Sequence, residues 1–439
     1  MELVIGFAIF IAAMIVCIAL GQTMVIALFV GLIAFSIIGM RKGFSAKEIG
    51  TMGLHGAKDA FVVVEVMFLI GFITGVWRSA GTITFFVYYG IKVITPNMFL
   101  VVTFVLCCIL SYALGTSFGV AGTVGVIFMA LARSGGVNEL ITAGAIMSGI
   151  YFGDRTSPVS SSAILVATIT HTKLYDNVKM MVKTAILPLA LTLVLYIILS
   201  INNPITHIEK SVLDSLQSEF VISWWCIIPA ICMLVLPLFK VKIITAIVAS
   251  IVSGMVVSVV AENMALATLL KTCIFGYEAT DATLGTIING GGMMSMIEVV
   301  CIVLMSSFYS GIFSGTDMLK ELQDKMKILI NHIGRYGTML VLSFATLGIF
   351  CNQTIASMMC SDVLTKPYLE EGGTREELAM DIENSVIIIA AIIPWAISCS
   401  VPLEILQVGL GAIPFSILIF MIPLCYGLTK KHFFPTHTK

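Results

Sequence analysis

A single acidic residue in a hydroxyl-rich segment is the clearest sign of chemistry in this sequence. Asp154 lies in Y-F-G-D-R-T-S-P-V-S-S-S, where hydroxyl side chains and a proline-opened carbonyl surround one carboxylate. These are hard oxygen ligands, which suit a small cation such as sodium. In the alternative interpretation, Asp154 caps the next helix and pairs with Arg155. The candidate sodium or substrate ligands here are Asp154, Thr156, Ser157, Ser160 and Ser161, with Asp154 and Ser157 holding the ion.

Two polar breaks elsewhere in apolar segments predict further parts of the same site. The first is glycine-rich, and close helix packing at small residues would also explain it. The second places two amides and a hydroxyl in succession, and burying unpaired amides is costly, so coordination is the better explanation. Because helix ends at such breaks bind solutes near the membrane centre, we expect the two breaks to meet in one cavity. Their candidate ligands are Thr116 and Ser117 in the first break, and Asn352, Gln353 and Thr354 in the second.

Acidic residues in the apolar segments are candidates for binding cations or carrying protons. Glu383 and Asn384 open the segment that leads to Pro394, and we expect them to bind the ion or substrate, although a helix-opening acid can also be only a cap. Glu65 and Glu298 occupy matching places in two apolar helices. Because a buried carboxylate can carry a proton near neutral pH, both are predicted proton carriers. The alternative places them at the membrane interface.

The composition indicates that helices in a lipid bilayer must position these residues. Of the 439 residues, 59% are hydrophobic and only 11% are charged, whereas soluble domains carry about 25% charged residues. The chain is therefore predicted to be an all-α polytopic membrane protein. Its net charge of −1 argues against a nucleic-acid partner, and its first residues predict no cleaved signal peptide.

Other chemistries find no support in the sequence. The eleven cysteines lack metal-binding spacing and suit apolar packing, and there is no ATP-binding Gly-x-x-x-x-Gly-Lys motif. Gly115 to Gly119 matches the G-x-S-x-G pattern of serine hydrolases, but that motif needs a preceding strand, and here it ends a membrane helix. We expect no enzyme activity and no cofactor, with sodium acting only as the coupling ion.

Apolar segments predict roughly 10 to 12 membrane helices, because about 20 helical residues cross the bilayer core. Some are expected to be discontinuous, since polar residues interrupt them near the membrane centre. Full spans are expected near 3–20, 22–40, 61–80, 98–115, 180–200, 221–239, 242–260, 293–313, 336–351 and 403–426, and shorter pieces near 83–95, 119–132, 139–152, 158–170, 353–365 and 384–400.

The charge pattern predicts an inverted repeat. Basic residues favour the cytoplasm, so Lys47, Lys325 and both termini are predicted to be internal, and the acidic segments around Glu209 and Asp281 external. The halves 1–203 and 220–429 then show the same order of features with opposite orientation. Each has two close spans, a helix with a lone glutamate and a Gly-x-x-x-Gly step, a polar break, and an acidic element that leads to a proline.

These residues resemble the NhaC sodium/proton antiporter family of the ion-transporter superfamily. The resemblance rests on Gly115-Thr116-Ser117, on the 151–160 element, and on Asn352-Gln353 leading to Glu383-Asn384 and Pro394-Trp395. It implies an inner-membrane secondary transporter that uses sodium, and some members resemble malate/lactate exchangers or sodium-coupled amino-acid carriers. Two acids that the family often has are replaced here by Ser161 and Asn384, which lowers the charge available for competing sodium and proton and gives solute symport more weight as the alternative.

The sequence therefore predicts sodium-coupled secondary transport across the cytoplasmic membrane, most simply sodium/proton antiport. The alternative is sodium-coupled symport or exchange of a small amino acid or organic acid. A channel fits less well, because inverted repeats and several breaks favour alternating access. The expected partners are sodium, protons, the lipid bilayer and, in the alternative, one of those acids; a homo-oligomer is compatible with the sequence.

Overall fold

The computed structural model describes residues 2–20, 22–93, 95–205, 216–239, 241–316 and 320–434. In this part of the chain the regular structure is helical, apart from one isolated β-bridge between Tyr277 and Gly290. The predicted all-α polytopic class is therefore confirmed. Glu209, which the charge pattern places outside the cell, lies outside the described residues.

Three of the helices end directly before a glycine, at Gly115, Gly135 and Gly276. A π-helical turn, Ala121–Gly125, joins the helices Ser117–Val120 and Val126–Ser134. The helices are α1 (Glu2–Ala19), α2 (Met24–Arg41), α3 (Ala46–Ser79), α4 (Thr82–Val93), α5 (Phe99–Leu114), α6 (Ser117–Val120), α7 (Val126–Ser134), α8 (Glu139–Thr156), α9 (Ser161–Ile169), α10 (Leu174–Asn202), α11 (Ile228–Val235), α12 (Ile243–Val260), α13 (Leu266–Phe275), α14 (Ala282–Ile288), α15 (Ile297–Gly315), α16 (Lys320–Phe350), α17 (Gln353–Glu370), α18 (Arg375–Glu383), α19 (Val386–Ile389), α20 (Ile397–Ile405) and α21 (Ile417–Phe433).

Several of these helices are long and apolar enough to cross a bilayer. The described residues contain five such spans, or seven if each of two bent helix pairs counts as one span. The bent pairs are α3 with α4, at 64°, and the 375–392 segment with α20, at 49°. Five shorter apolar helices accompany them. Bent and short helices indicate the discontinuous architecture that the sequence predicts.

Two predicted segments differ from the structure. The expected span at 403–426 is broken, because α20 ends at Ile405 and α21 begins only at Ile417. Pro414, which has no N–H to donate, lies in the connecting 3₁₀ turn. The expected short piece at 119–132 belongs instead to a segment that is helical from Ser117 to Ser134, because the π turn carries the helix through the glycine-rich stretch.

The two predicted polar breaks share one backbone conformation. Gly115 and Cys351 end their helices in the left-handed region, with φ of 64° and 56°. The next residues, Thr116 and Asn352, are extended, and their side chains accept hydrogen bonds from the first turn of the following helix. Each break therefore ends one helix and caps the next. This likeness agrees with the repeat hypothesis, while the inverted orientation of the halves stays a prediction.

Close packing of α8 on α5 fixes the helix end that carries Asp154. Gly153 faces α5, where a Cβ would lie 2.1 Å from the backbone of Ser111. The Ser111 hydroxyl donates to the Gly149 carbonyl at 2.9 Å and accepts from the Gly153 N–H at 3.0 Å. Ser111 is thus inserted into the hydrogen-bond ladder of α8 directly before Asp154, so α5 decides where that acid lies.

The predicted glycine steps are points of close approach. A Cβ on Gly56 of α3 would lie 2.7 Å from the Cα of Gly311 in α15. Farther along α3, the Gly71 carbonyl accepts a hydrogen bond from the Gly292 N–H at 2.9 Å. Small residues at such contacts let helices and loops pack closely in a membrane, where hydrophobic association between helices is weak. They hold the loop before α15 against α3.

Candidate functional site

Asp154 is a buried acid at the C-terminal end of α8, and only 5% of its surface is exposed. Ser162 donates a hydrogen bond to its Oδ2 at 3.1 Å, and the Ser160 hydroxyl lies 3.4 Å from its Oδ1. Ser160 is the residue that caps α9, because its hydroxyl accepts from the Ser162 N–H. The cap-and-pair interpretation of Asp154 is therefore wrong, and its carboxylate faces hydroxyl oxygens that can also coordinate a cation.

Gln353 links Asp154 to the second half of the chain. Its Nε2 donates to Asp154 Oδ2 at 3.4 Å and to the Ile387 carbonyl at 3.1 Å. Its Oε1 accepts from the Ser398 hydroxyl at 3.1 Å. One amide therefore connects α8, α19 and α20. Both Asp154 and Gln353 are candidates from the sequence, and the fold brings them together across 199 positions.

Tyr151 extends this network toward the first polar break. Its hydroxyl donates to the backbone carbonyl of Ser398 and lies beside the Ser117 side chain. Tyr151, Ser162 and Ser398 are candidates that the sequence analysis missed. Residues three apart share a helix face, so the spacing of Tyr151 and Asp154 was a usable signal. Nothing in the sequence separates Ser162 or Ser398 from neighbouring serines.

Glu383 is a fully buried carboxyl whose electrostatic neighbours are Arg155 and Asp154. Neither of its carboxyl oxygens has a hydrogen-bond partner in the described chain. Arg155 donates instead to Asn384 Oδ1 and to the Thr184 hydroxyl, each at 2.8 Å. The neutral Asn384 therefore accepts the hydrogen bond of Arg155, and the carboxyl oxygens of Glu383 remain available to a cation or a proton.

Four of the predicted ligands make local hydrogen bonds. Thr116 and Asn352 cap α6 and α17. Thr156 donates to the Phe152 carbonyl at 2.5 Å, and the Ser157 hydroxyl accepts from the backbone N–H two residues later at 3.3 Å. In this conformation these four residues shape the breaks, and their binding role stays a prediction.

Ser161 and Thr354 are exposed. In the described chain no hydrogen bond joins Ser161 to Asp154, which is contacted by Ser162 instead. Which of the two serines meets the carboxylate depends on how α9 starts, and the binding role of Ser161 stays a prediction.

Glu65 and Glu298 are also exposed, on α3 and α15. Glu298 accepts a hydrogen bond from the Thr23 hydroxyl. The burial on which the proton-carrier hypothesis depended is therefore wrong for both residues.

A second buried charge cluster lies on α18, one turn from the site. Asp381 is fully buried, and it accepts hydrogen bonds from two tyrosine hydroxyls at 2.8 Å and from Lys430 at 2.5 Å. Lys430 also lies 2.7 Å from Glu377, which Arg335 holds with two hydrogen bonds of 3.0 and 3.1 Å. Two acids and two bases balance each other, so the cluster holds α16, α18 and α21 together beside the site.

The donor types limit which ion the site could bind. In the described part of the chain, no group of three or more His, Cys, Asp or Glu side chains could hold a metal ion. A cation at Asp154 would therefore bind through one carboxylate and neutral oxygens from hydroxyl, amide and carbonyl groups. That donor set suits a hard cation rather than a transition metal.

Comparisons with known proteins identify relatives along most of the chain. A model of the Na⁺/H⁺ antiporter family matches residues 149–429. The malate-2H⁺/Na⁺-lactate antiporter of Bacillus subtilis is 27% identical over 421 residues, covering 92% of this chain and 89% of that protein. The Na⁺/H⁺ antiporter NhaC of Alkalihalophilus pseudofirmus is 23% identical over 409 residues, covering 91% and 88%. The arginine/ornithine antiporter ArcD of Halobacterium salinarum is 24% identical over 350 residues, covering 76% and 70%.

Proposed function

Because the chain belongs to the Na⁺/H⁺ antiporter family, it is a secondary active transporter that exchanges sodium for protons, and we propose that both ions compete for Asp154. The observation that supports this role is the setting of Asp154. It is buried, it faces hydroxyl groups, and it is hydrogen-bonded to Gln353 from the second half. The family predicted from the sequence is confirmed by the family match.

The charges around the site explain why one ion would replace the other. Asp154 and Glu383 are buried together with a single arginine, Arg155. With both carboxyls ionised, the group carries one excess negative charge, which is costly in a low dielectric. One sodium ion or one proton removes that excess equally well. Binding of one therefore lowers the affinity for the other, which is the condition for exchange.

The hydrogen bonds of Asp154 provide the link from ion binding to conformation. Ser162 and Gln353 donate to one oxygen of Asp154 from α9 and α17. Hydrogen bonds to an ionised acceptor are roughly twice as strong as those between neutral groups. A proton on Asp154 would therefore weaken the contact between the two halves, and sodium would need the same oxygens. The two loaded states thus favour different packing of α9 and α17.

The test is sodium-driven proton movement in proteoliposomes that contain the purified chain and an internal pH indicator. Asp154→Asn keeps the shape of the side chain and removes its charge, so we expect sodium-dependent proton flux to fall to the level of empty vesicles. Glu376→Gln, which removes an exposed acid, is the matched control and should behave as wild type. Wild-type sodium activation in correctly inserted Asp154→Asn would exclude this site.

Exchange or symport of a small organic acid or amino acid is the second candidate function. It is favoured by the neutral Asn384, which Arg155 holds in place of an acid, and by the malate-2H⁺/Na⁺-lactate antiporter, which matches 92% of this chain. The same proteoliposomes, loaded or bathed with labelled malate or lactate, test it. Label movement that depends on the sodium gradient would support the second function.

The orientation of the protein is part of the proposal. We place it in the cytoplasmic membrane with both termini, Lys47 and Lys325 inside and Asp281 outside, with the two inverted halves at 1–203 and 220–429. Cysteine labelling from each side, in a background without native cysteines, tests this order. Finding positions 281 and 325 on the same side would remove the inverted-repeat argument. A homo-oligomer is also proposed, and the mass of the purified particle in detergent tests it.

A further inference from the structure

Arg78, in the last turn of α3, is a buried cation without an acidic partner. Only 3% of the residue is exposed. In the described chain no carboxylate oxygen lies within 4.0 Å of its guanidinium, and the charged group that influences it is another cation, Arg133. A buried charge is costly unless an opposite charge or hydrogen bonds compensate it. The surroundings of Arg78 therefore favour an anion.

The guanidinium of Arg78 keeps one donor group free. Its Nε donates to the Ile288 carbonyl at 2.8 Å, and its Nη1 donates to the Thr74 carbonyl at 3.0 Å. These two bonds fix the plane of the group. The described hydrogen bonds of Arg78 include none from Nη2. A fixed guanidinium with free N–H groups is well suited to a carboxylate, because its geometry matches the two oxygens.

A run of three glycines passes directly beside the guanidinium of Arg78. Gly290, Gly291 and Gly292 all have positive φ, at 109°, 71° and 84°. A Cβ on Gly291 would lie 2.8 Å from Arg78 Nη1, so only glycine lets the backbone come this close. The N–H groups of Gly290 and Gly292 donate to backbone carbonyls, whereas the described hydrogen bonds include none from the buried Gly291 N–H.

Arg133 adds positive charge near the loop formed by Gly290, Gly291 and Gly292. Its Nη1 donates at 3.4 Å to Gln407, whose amide nitrogen lies 2.0 Å from where a Cβ on Gly290 would be. Its own acid is Glu139, at 2.9 Å. Two acids of this region already accept hydrogen bonds: Glu219 from the Tyr277 hydroxyl and the Thr280 N–H, and Glu262 from the Val221 N–H through Oε2, while Glu262 Oε1 has no hydrogen-bond partner in the described chain.

We propose that Arg78 Nη2 and the Gly291 N–H bind the carboxylate of a small organic anion, at the end of α3 that the charge pattern predicts to be external. A guanidinium without a carboxylate partner in the described chain, close to the backbone of Gly291, offers the donors and the charge that one carboxylate needs. The site is separate from Asp154, so it goes beyond sodium/proton exchange. It assigns to this chain a carboxylate-recognising residue on α3.

The test is equilibrium binding to the full-length chain in neutral detergent, at constant ionic strength. Succinate is the probe, and its uncharged diamide, succinamide, is the control ligand. We expect succinate to raise the thermal midpoint in a concentration-dependent way and succinamide to leave it unchanged.

Variants locate the effect. Arg78→Gln should abolish the succinate response, and Arg78→Lys, which keeps the charge but loses the fork, should weaken succinate binding at least tenfold. Lys271→Gln removes an exposed cation on α13, which packs on α3, and should bind as wild type. If Arg78→Gln does not fold, the proposal is still tested by comparing succinate with succinamide in wild type and by measuring succinate binding to Arg78→Lys.

The proposal fails if wild type gives no response to succinate, if succinamide acts equally well, or if Arg78→Lys binds succinate as wild type does. Because binding is measured without transport, such a failure leaves sodium/proton exchange at Asp154 untouched. Conversely, loss of exchange in Asp154→Asn with intact succinate binding would show that the two sites are separate.

Discussion

Replacing Gly115 by alanine should damage the ion site without touching any side chain in it. Gly115 ends α5 in the left-handed region at φ 64°. A Cβ there would lie 2.7 Å from the carbonyl carbon of Val159 and 2.8 Å from the nitrogen of Ser160. Ser160 caps α9 and holds the Asp154 backbone carbonyl at 2.5 Å. The substitution therefore acts on Asp154 through the backbone that supports it.

Two costs can be separated for Gly115→Ala. An alanine in the left-handed region costs about 1–2 kcal/mol of folding free energy. In addition, the Val159 backbone must move about 0.7 Å, the difference between 2.7 Å and an ordinary contact of 3.4 Å. A shift of that size takes Ser160 and Ser162 away from Asp154. We expect the sodium concentration for half-maximal exchange to rise about tenfold, which corresponds to about 1.4 kcal/mol.

The matched control is Gly372→Ala. Gly372 has φ 73°, and nothing lies within 4 Å of where its Cβ would be. It carries the same conformational cost without the overlap. Both variants should lose similar thermal stability in detergent, and only Gly115→Ala should need more sodium in the proteoliposome assay. Equal sodium dependence in both variants and wild type would refute the link between the first break and Asp154.

Two other predictions concern the network and the charge cluster. Tyr151→Phe removes the hydrogen bond to the Ser398 carbonyl, so the free energy of unfolding should decrease by about 1 kcal/mol. Exchange at saturating sodium should also be slower than in wild type. An unchanged rate in flux assays would show that Tyr151 does not take part in exchange. Lys430→Ala leaves the fully buried Asp381 without its cation, so the free energy of unfolding should decrease by about 3–5 kcal/mol and the thermal midpoint should fall. The control Lys431→Ala, at an exposed position, should leave the midpoint unchanged. Equal midpoints in the two variants would show that the cluster adds nothing to stability.

The sequence was sufficient for the membrane class and for the two breaks, and it singled out Asp154, whose role as an ion ligand stays a prediction. Long apolar segments leave few alternatives to helices in a bilayer, because each backbone polar group must find a partner within the segment. Polar residues such as Asn352 and Gln353 stand out against that background. The same reasoning failed at 403–426, where a break at Pro414 and Gln407 is hidden inside continuous apolar sequence.

Burial could not be derived in the same way. Glu65 and Glu298 are each the lone acid of an apolar segment, and Asp154 is the lone acid of a hydroxyl-rich break, yet the two glutamates are exposed while Asp154 is buried. A membrane helix can be apolar on every face, so periodicity does not say which face meets protein and which meets lipid. The glycine contacts of α8 with α5 decide it for Asp154.

The sequence by itself determined that this chain is a helical membrane protein of a sodium-transporting type with an acid in a polar break. Tertiary structure alone decided that Gln353 reaches Asp154, that Ser162 and not Ser161 meets its carboxylate, and that Arg155 pairs with Asn384 while Glu383 stays free. The physical reason is that composition and breaks are local properties of the chain. Hydrogen bonds between residues about two hundred positions apart exist only once the helices have packed.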